Sequence, residues 1–377
     1  VDFFFKVDYN DYIFILIVIY NFLWRITMNT NYSIPTPIIP FAPPVYAARF
    51  NPKPFTLDGR LDNEFWADIP FTDLFVDIEG SSRPTPRFAT RAKIAWDHEN
   101  LYFGAILEGN EIWGNITERD AVIFYDNDFE IFIDPDSDTQ QYYEFEMNAK
   151  NAFWDLLLTK AYHDGGKPVN AFDIKGIRTA VHIDGKLNDP NAENKFWSVE
   201  VVMPFTTLME CSSKSDCACP DIGDYWRMNF SRVQWKVNVE NGQYVKRRDP
   251  ITHNILPEDN WVWSPTGVIN IHYPEMWGFV FFADETGNGD FSIPQDEYRK
   301  IILRQIYYLQ SHYLEDHGHY AKTLEELGAP AFPVELNLET TSLTYIVSCP
   351  DTVGTGTLYL LSDGKCGRKE DLSKTIL

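Results

Sequence analysis

Basic side chains are scarce in this chain. Its 377 residues carry 32 Lys and Arg against 55 Asp and Glu, a formal net charge of -23. That imbalance repels phosphate backbones and anionic membrane surfaces, which argues against nucleic-acid binding and leaves neutral ligands and cations as compatible partners. Cysteine is scarce as well. The count of five is odd, so the thiols cannot all pair within the chain. Cys211, Cys217 and Cys219 share one loop with no histidine close by in sequence, which does not suggest a zinc site. Cys349 and Cys366 bracket a hairpin-like stretch and are a candidate disulfide. Long apolar runs are missing too. Asp11-Tyr-Ile-Phe-Ile-Leu-Ile-Val-Ile-Tyr-Asn-Phe-Leu-Trp24 is short for a bilayer-spanning helix, and Asp2, Asp8 and Asp11 against Lys6 are unlike the basic start of a secretory signal. Residues 1–27 are therefore set aside, with a signal or anchor segment and a mistaken gene start ahead of Met28 both left open.

Aromatic residues are plentiful, at 15% of the chain with 11 Trp and 20 Tyr, a density suited to sheet packing and to flat ligand faces. After a proline-rich lead-in, expected to run extended along an edge, residues 90–96 and 101–107 alternate apolar and polar side chains around the turn Asp97-His-Glu-Asn100, the clearest hairpin signal. Phe129, Ile131 and Ile133 share one face of a further strand. Tyr143, Phe145 and Met147 share one face of the next, leaving Glu144, Glu146 and Asn148 on the other. Strands are also expected at 176–184, 197–203, 226–230 and 279–282, with no helical crossovers of the size a parallel sheet needs. The predicted fold is all-β, an antiparallel β-sandwich, followed by a small helical or α+β C-terminal appendage. The boundaries expected are 28–45 for the lead-in, 46–286 for the sandwich and 292–377 for a helix-plus-hairpin region. In that last region Ile302, Ile306, Leu309 and Tyr313 fall on one helical face before Gly318, and Thr323 and Glu326 have capping-box spacing.

Asp134-Pro-Asp-Ser-Asp138 clusters hard oxygen donors, so Asp134, Asp136 and Asp138 are candidate calcium ligands, with Asp58 and Asp62 as alternatives. The run is not an EF-hand, since Thr139 stands where the turning glycine belongs and Phe145 where the bidentate glutamate belongs. A polar turn between strands explains the same residues. Asn31, Asn115 and Asn229 begin N-glycosylation sequons, the last in an expected strand where access is poor.

The ordered set Leu57-Asp-Gly-Arg-Leu-Asp-Asn-Glu-Phe-Trp66, Trp96-Asp-His-Glu-Asn-Leu-Tyr-Phe103, Asp128-Phe-Glu-Ile-Phe-Ile-Asp-Pro135, Trp197-Ser-Val-Glu-Val-Val-Met-Pro-Phe205 and Trp226-Arg-Met-Asn-Phe-Ser-Arg232 resembles a carbohydrate-binding module of family 9, from about residue 46 to 283. The resemblance implies non-catalytic binding of a saccharide or polysaccharide end, an extracellular setting in polysaccharide catabolism, association with glycosyl hydrolases, and calcium supporting the scaffold. It places Glu130 at the family's acidic strand position and Phe124, with Tyr125 beside it, near the first of two sugar-sandwiching rings. Glu146 stands where the studied sugar binder has an arginine, which replaces a donor by an acceptor. Ile271 stands at the second platform, so Trp263 or Tyr273 is expected to supply that wall, with His272 and Asn148 among the other ligand-binding candidates. A structural or protein-interaction sandwich is the main alternative. A glycoside hydrolase and a haem module using Met147, Met203, Met228, His182 or His272 are weaker ones, and too few residues follow Pro294 for the usual catalytic barrel.

Overall fold

The computed structural model describes residues 34–370, so the hydrophobic segment 1–27, the start of the lead-in and Asn31 lie outside the described residues. The chain forms two compact units, one made of Pro43–Pro265 with Ile269–Ile293, the other of residues 34–42, 266–268 and 294–370.

The larger unit contains β1 (Val45–Phe50), β2 (Val76–Asp77), β3 (Thr90–Trp96), β4 (Asn100–Glu108), β5 (Asp128–Asp134), β6 (Gln140–Asn148), β7 (Phe153–Lys160), β8 (Pro168–Val169), β9 (Arg178–Asp184), β10 (Phe196–Pro204), β11 (Tyr225–Gln234), β12 (Val237–Glu240), β13 (Gln243–Lys246), β14 (Asp259–Val262) and β15 (Gly278–Ala283). Hydrogen bonding runs in the order β8-β7-β6-β5-β11-β15-β1-β3-β4-β10-β9, with β14 beside β11 and β2 beside β14. β12 and β13 form a separate hairpin. The path folds into a sandwich whose core joins Ile94, Phe103, Val199 and Val201 from one layer with Phe129, Ile131, Phe145 and Phe230 from the other. These residues are the alternate positions of their strands, so the period of two expected from the sequence decides which face is sealed. Pairing is antiparallel except at β1, which is parallel to both β15 and β3.

β1 corrects one expectation. The proline-rich stretch 34–54, expected to hug an edge, does not do so throughout, because Val45–Phe50 within it is an interior strand between two partners. Pro43 and Pro44 precede it and Pro52 and Pro54 follow, so the prolines border the strand without removing any of its own donors.

The 57–66 motif is clamped from below by Glu200 of β10. One carboxylate oxygen accepts the amides of Asp58 and Gly59 at 2.8 and 2.7 Å, and the other accepts Trp66 Nε1–H at 2.7 Å. Glu200 and Trp66 are both fully buried. Gly59 is in the left-handed region at φ 80°, and a Cβ there would lie 2.5 Å from the His182 backbone nitrogen, so only glycine lets this turn approach β9.

The smaller unit pairs the helix Gln295–His317 with a four-stranded antiparallel sheet of β16 (Asn337–Thr340), β17 (Tyr345–Pro350), β18 (Thr357–Leu361) and β19 (Cys366–Arg368). Ile302, Ile306 and Leu309 are buried, as their spacing predicts, and Gly318 ends the helix with φ 73°. Thr323 and Glu326 cap a turn and not a helix: Glu326 N–H donates to Thr323 Oγ1 at 3.1 Å, and Lys322 N–H to the Glu326 carboxylate at 2.6 Å. Buried Gln310 reaches across to Ala321, accepting its N–H and donating to its carbonyl, both at 2.9 Å. Gln310→Ala is expected to cost about 1–3 kcal/mol, because it leaves the buried Ala321 amide without its partner, while the carbonyl keeps the Thr340 hydroxyl at 3.0 Å. Accelerated amide hydrogen exchange at Ala321 is the check.

No disulfide joins Cys349 to Cys366. Cys349 is a free, buried thiol opposite Leu358 and Cys366 lies opposite Leu360, so β18 separates the two cysteine-bearing strands and holds them too far apart to bridge. Among the described residues no helix is long and apolar enough to cross a membrane.

Candidate ligand cleft

The polar faces of β5 and β6 are brought into register by the pairing that seals the core. Glu130 lies opposite Glu146 on β6 and opposite Ser231 on β11, and Glu146 lies opposite Trp154 on β7. This cross-strand row forms the floor of a cleft of ≈ 410 Å³. Phe124, Glu144, Trp154, Tyr162, Glu258, Asn260, Asn270, Ile271 and His272 stand around it, and no Lys or Arg is among its described lining residues.

Phe124 is held by the carboxylate it overlooks. The short 3-10 turn Ile123–Tyr125 presents the Phe124 amide to Glu146 at 3.1 Å. On another side, Tyr162 is 43% exposed and packs edge-on against His272, with ring centroids 4.6 Å apart. The Trp154 indole N–H is buried and has no hydrogen-bond partner within the protein. His272 Nδ1 shares a hydrogen bond with Tyr142 Oη at 2.9 Å. Burial, with His163 nearby, pushes His272 down to about 3, so the imidazole is neutral at physiological pH.

The carboxylates are shifted the other way. Burial pushes Glu130 up to about 7, against the pull of a hydrogen bond with Ser231 and with a further push from Glu258. Asp128, Glu144 and Glu146 are driven well above the usual carboxylate range by burial first and then by one another's charge, Glu130 contributing to all three.

Of the residues expected at a ligand face, Phe124, Glu130, Glu146 and His272 line this cleft. The others do not. Tyr125 is 58% exposed, outside the cleft, with Lys246 Nζ 5.8 Å from its ring centre. Asn148 is fully buried and spends its side chain on the Ile116 carbonyl, Asp126 and the Lys150 and Ala152 amides, so it braces the neighbouring loop. Trp263 is core, packed against Phe230. Tyr273 is fully buried with its ring against His163. The unforeseen residues are Glu144, Trp154, Tyr162, Ser231, Glu258, Asn260 and Asn270. Glu144 was already on the right strand face, and Trp154 follows once β7 is paired with β6. The rest converge only through tertiary folding.

The candidate calcium residues separate. Asp134, Asp136 and Asp138 bring carboxylate oxygens within 4.8 Å of one another. Asp134 also accepts the Ser137 and Thr139 amides, Asp136 the Asp138 amide and Asp138 the Gln140 amide. The donor chemistry suits a hard cation, while the same bonds make a polar turn that holds itself together. Asp58 and Asp62 are exposed and join no carboxylate cluster among the described residues. Met147, Met203 and Met228 are sealed in hydrocarbon, which removes them as haem ligands. Asn115 is exposed, while Asn229 is buried and bonded to the Ser264 carbonyl.

The larger unit is thus a β-sandwich with an open, acidic and aromatic cleft on one outer sheet face. Residues 57–218 match the family described as carbohydrate family 9 binding domain-like. Two similar solved structures are family 9 carbohydrate-binding modules from Caldicellulosiruptor kristjanssonii. One, in complex with cellotriose, is 13% identical with a TM-score of 0.40, over 66% of this chain and 97% of that one. The other, in complex with glucose, is 14% identical with a TM-score of 0.40, over 66% of this chain and 100% of that one. No curated protein matches the sequence.

Proposed function

We propose that the sandwich unit binds a neutral saccharide non-catalytically in the Glu130–Glu146 cleft, in the service of polysaccharide breakdown. The observation that carries this reading is the meeting, at one open cleft, of the Phe124, Trp154 and Tyr162 rings with the Glu130, Glu144 and Glu146 carboxylates. Aromatic faces pack against the C–H side of a pyranose, and acids and amides orient its hydroxyls. Trp154 adds a buried donor with no protein acceptor, as a ligand hydroxyl would require. The family match is consistent with this assignment.

Calorimetric titration with glucose and cellotriose tests it. Saturable binding is expected, weakened about 10- to 100-fold by Trp154→Ala and by Phe124→Ala if sugar–ring contact is worth about 1–3 kcal/mol, as base–ring stacking is. Absence of saturable binding across a panel of mono- and oligosaccharides, or binding indifferent to both rings, overturns it.

A further inference from the structure

Three acidic groups in the described residues bring carboxylate oxygens within 4.8 Å of one another. Two are resolved by the protein itself. Around Asp120, Asp155 and Asp173, Arg119 supplies the counter-charge, at 3.3, 2.7 and 2.5 Å. Around Asp134, Asp136 and Asp138, backbone amides of the turn supply hydrogen bonds.

The third group, Asp128, Glu130 and Glu146, has no counter-charge among its described neighbours, and its hydrogen bonds from the Phe124 and Val233 amides and from Ser231 leave one carboxylate oxygen unmet. All three are buried, and no Lys or Arg is among the described residues that line the adjoining cleft. Asp128 Oδ1 accepts the Val233 amide at 3.2 Å, but Asp128 Oδ2 is buried with no hydrogen-bond partner in a residue with no exposure. An unpaired carboxylate oxygen at full burial carries the whole desolvation cost, and two further buried carboxylates beside it add their repulsion. A positive charge among them offsets both. The spacing suits one ion, because ligands on opposite sides of a calcium at about 2.4 Å are about 5 Å apart. The donors are all hard oxygens, which selects calcium over softer transition metals.

We propose that Asp128, Glu130 and Glu146 bind a Ca²⁺ ion at the floor of the cleft, and that the ion's remaining coordination positions receive ligand hydroxyls. The second part rests on the saccharide reading above. Asp128 anchors the ion from beneath the cleft, while Glu130 and Glu146, which do line it, leave the upper side open. Vicinal hydroxyls of a pyranose are neutral oxygen donors that can replace water on such an ion. The ion then supplies the positive charge that no basic side chain among the described residues brings to this cleft.

The test uses the full chain freed of metal, titrated with CaCl₂ by calorimetry and followed by melting temperature. Wild type is expected to bind calcium and melt higher with it. Asp128→Asn and Glu130→Gln are each expected to weaken calcium binding at least tenfold, while Asp173→Asn, in the Arg119 cluster, leaves it unchanged. Both neutral replacements keep side-chain shape, and circular dichroism confirms that they fold. A silent calcium titration in wild type overturns the site, and so does calcium binding that survives Asp128→Asn but is lost in Asp136→Asn, which places the ion in the turn. Cellotriose titrations with calcium and with EDTA separate the two parts. Sugar binding lost in EDTA sustains both. Sugar binding unchanged in EDTA overturns the ion's presenting role and leaves the saccharide reading standing. Calcium bound at Asp128 with no sugar bound in either condition sustains the ion site and overturns saccharide binding.

Discussion

Glu200→Ala is expected to lower the unfolding free energy by about 3–5 kcal/mol, since three donors lose a charged acceptor at once. The substitution strands the amides of Asp58 and Gly59 and the Trp66 indole N–H together, at about 1–3 kcal/mol for each buried donor left unmade. It also empties space beside Trp66, whose ring packs with Phe65 and Phe55. Glu200→Gln keeps the shape but turns an NH₂ group toward donors, so it is expected to recover only part of the loss. Urea unfolding followed by tryptophan fluorescence is the measurement. A loss below about 1 kcal/mol for the alanine variant would mean that water replaces the carboxylate freely and that the clamp is not structural.

In EDTA the melting temperature is expected to fall as pH rises from about 5 to 8. The cleft carboxylates are shifted upward in the folded protein, Glu130 to about 7 and Asp128, Glu144 and Glu146 well above the usual carboxylate range, through burial and mutual repulsion. A group whose folded value exceeds its unfolded one contributes its stabilisation below the unfolded value, near 4.3 for Glu, and loses it as pH climbs through the folded value. The slope is about 1.4 kcal/mol per pH unit for each such group, and each kcal/mol moves the midpoint by about 2–4 °C in a domain of this size. Glu130→Gln removes one titrating member and is expected to flatten the fall. Calcium is expected to reverse it, since the ion binds the deprotonated form. Differential scanning calorimetry across that interval decides the matter, and a melting temperature that stays level or rises in EDTA would show that these acids are solvated and ordinary.

Much of the sandwich is written in its alternation. Phe129, Ile131 and Ile133 and then Tyr143, Phe145 and Met147 mark an inner face, and the structure buries all six. The same alternation put Glu130, Glu144 and Glu146 together on the opposite face. β7 was harder to read because Leu156, Leu157 and Leu158 run consecutively, which breaks the period of two that marks a strand with one wet side. With β7 unseen, Trp154 had no place in the site. β1 was masked by its flanking prolines. Trp263 and Tyr273 were expected in the cleft from nearness in sequence to the loop that lines it, but side-chain direction decides such questions. Trp263 faces Gly278, where even a Cβ would crowd its ring. The pairing of Cys349 with Cys366 failed for a similar reason: a third strand lies between them, which spacing along the chain does not reveal.

The parallel seat of β1 sets the order in which the domain can be finished. Val45 is bonded in register with Phe279 and Ala48 with Phe282, so the first described strand of the sandwich must wait for the sandwich's last before that side of it is covered. Until then its backbone donors and acceptors stand open to any passing strand. Protein shortened between His272 and β15 would keep the cleft's lining residues and still carry that sticky margin, prone to clump for a reason unrelated to what it binds.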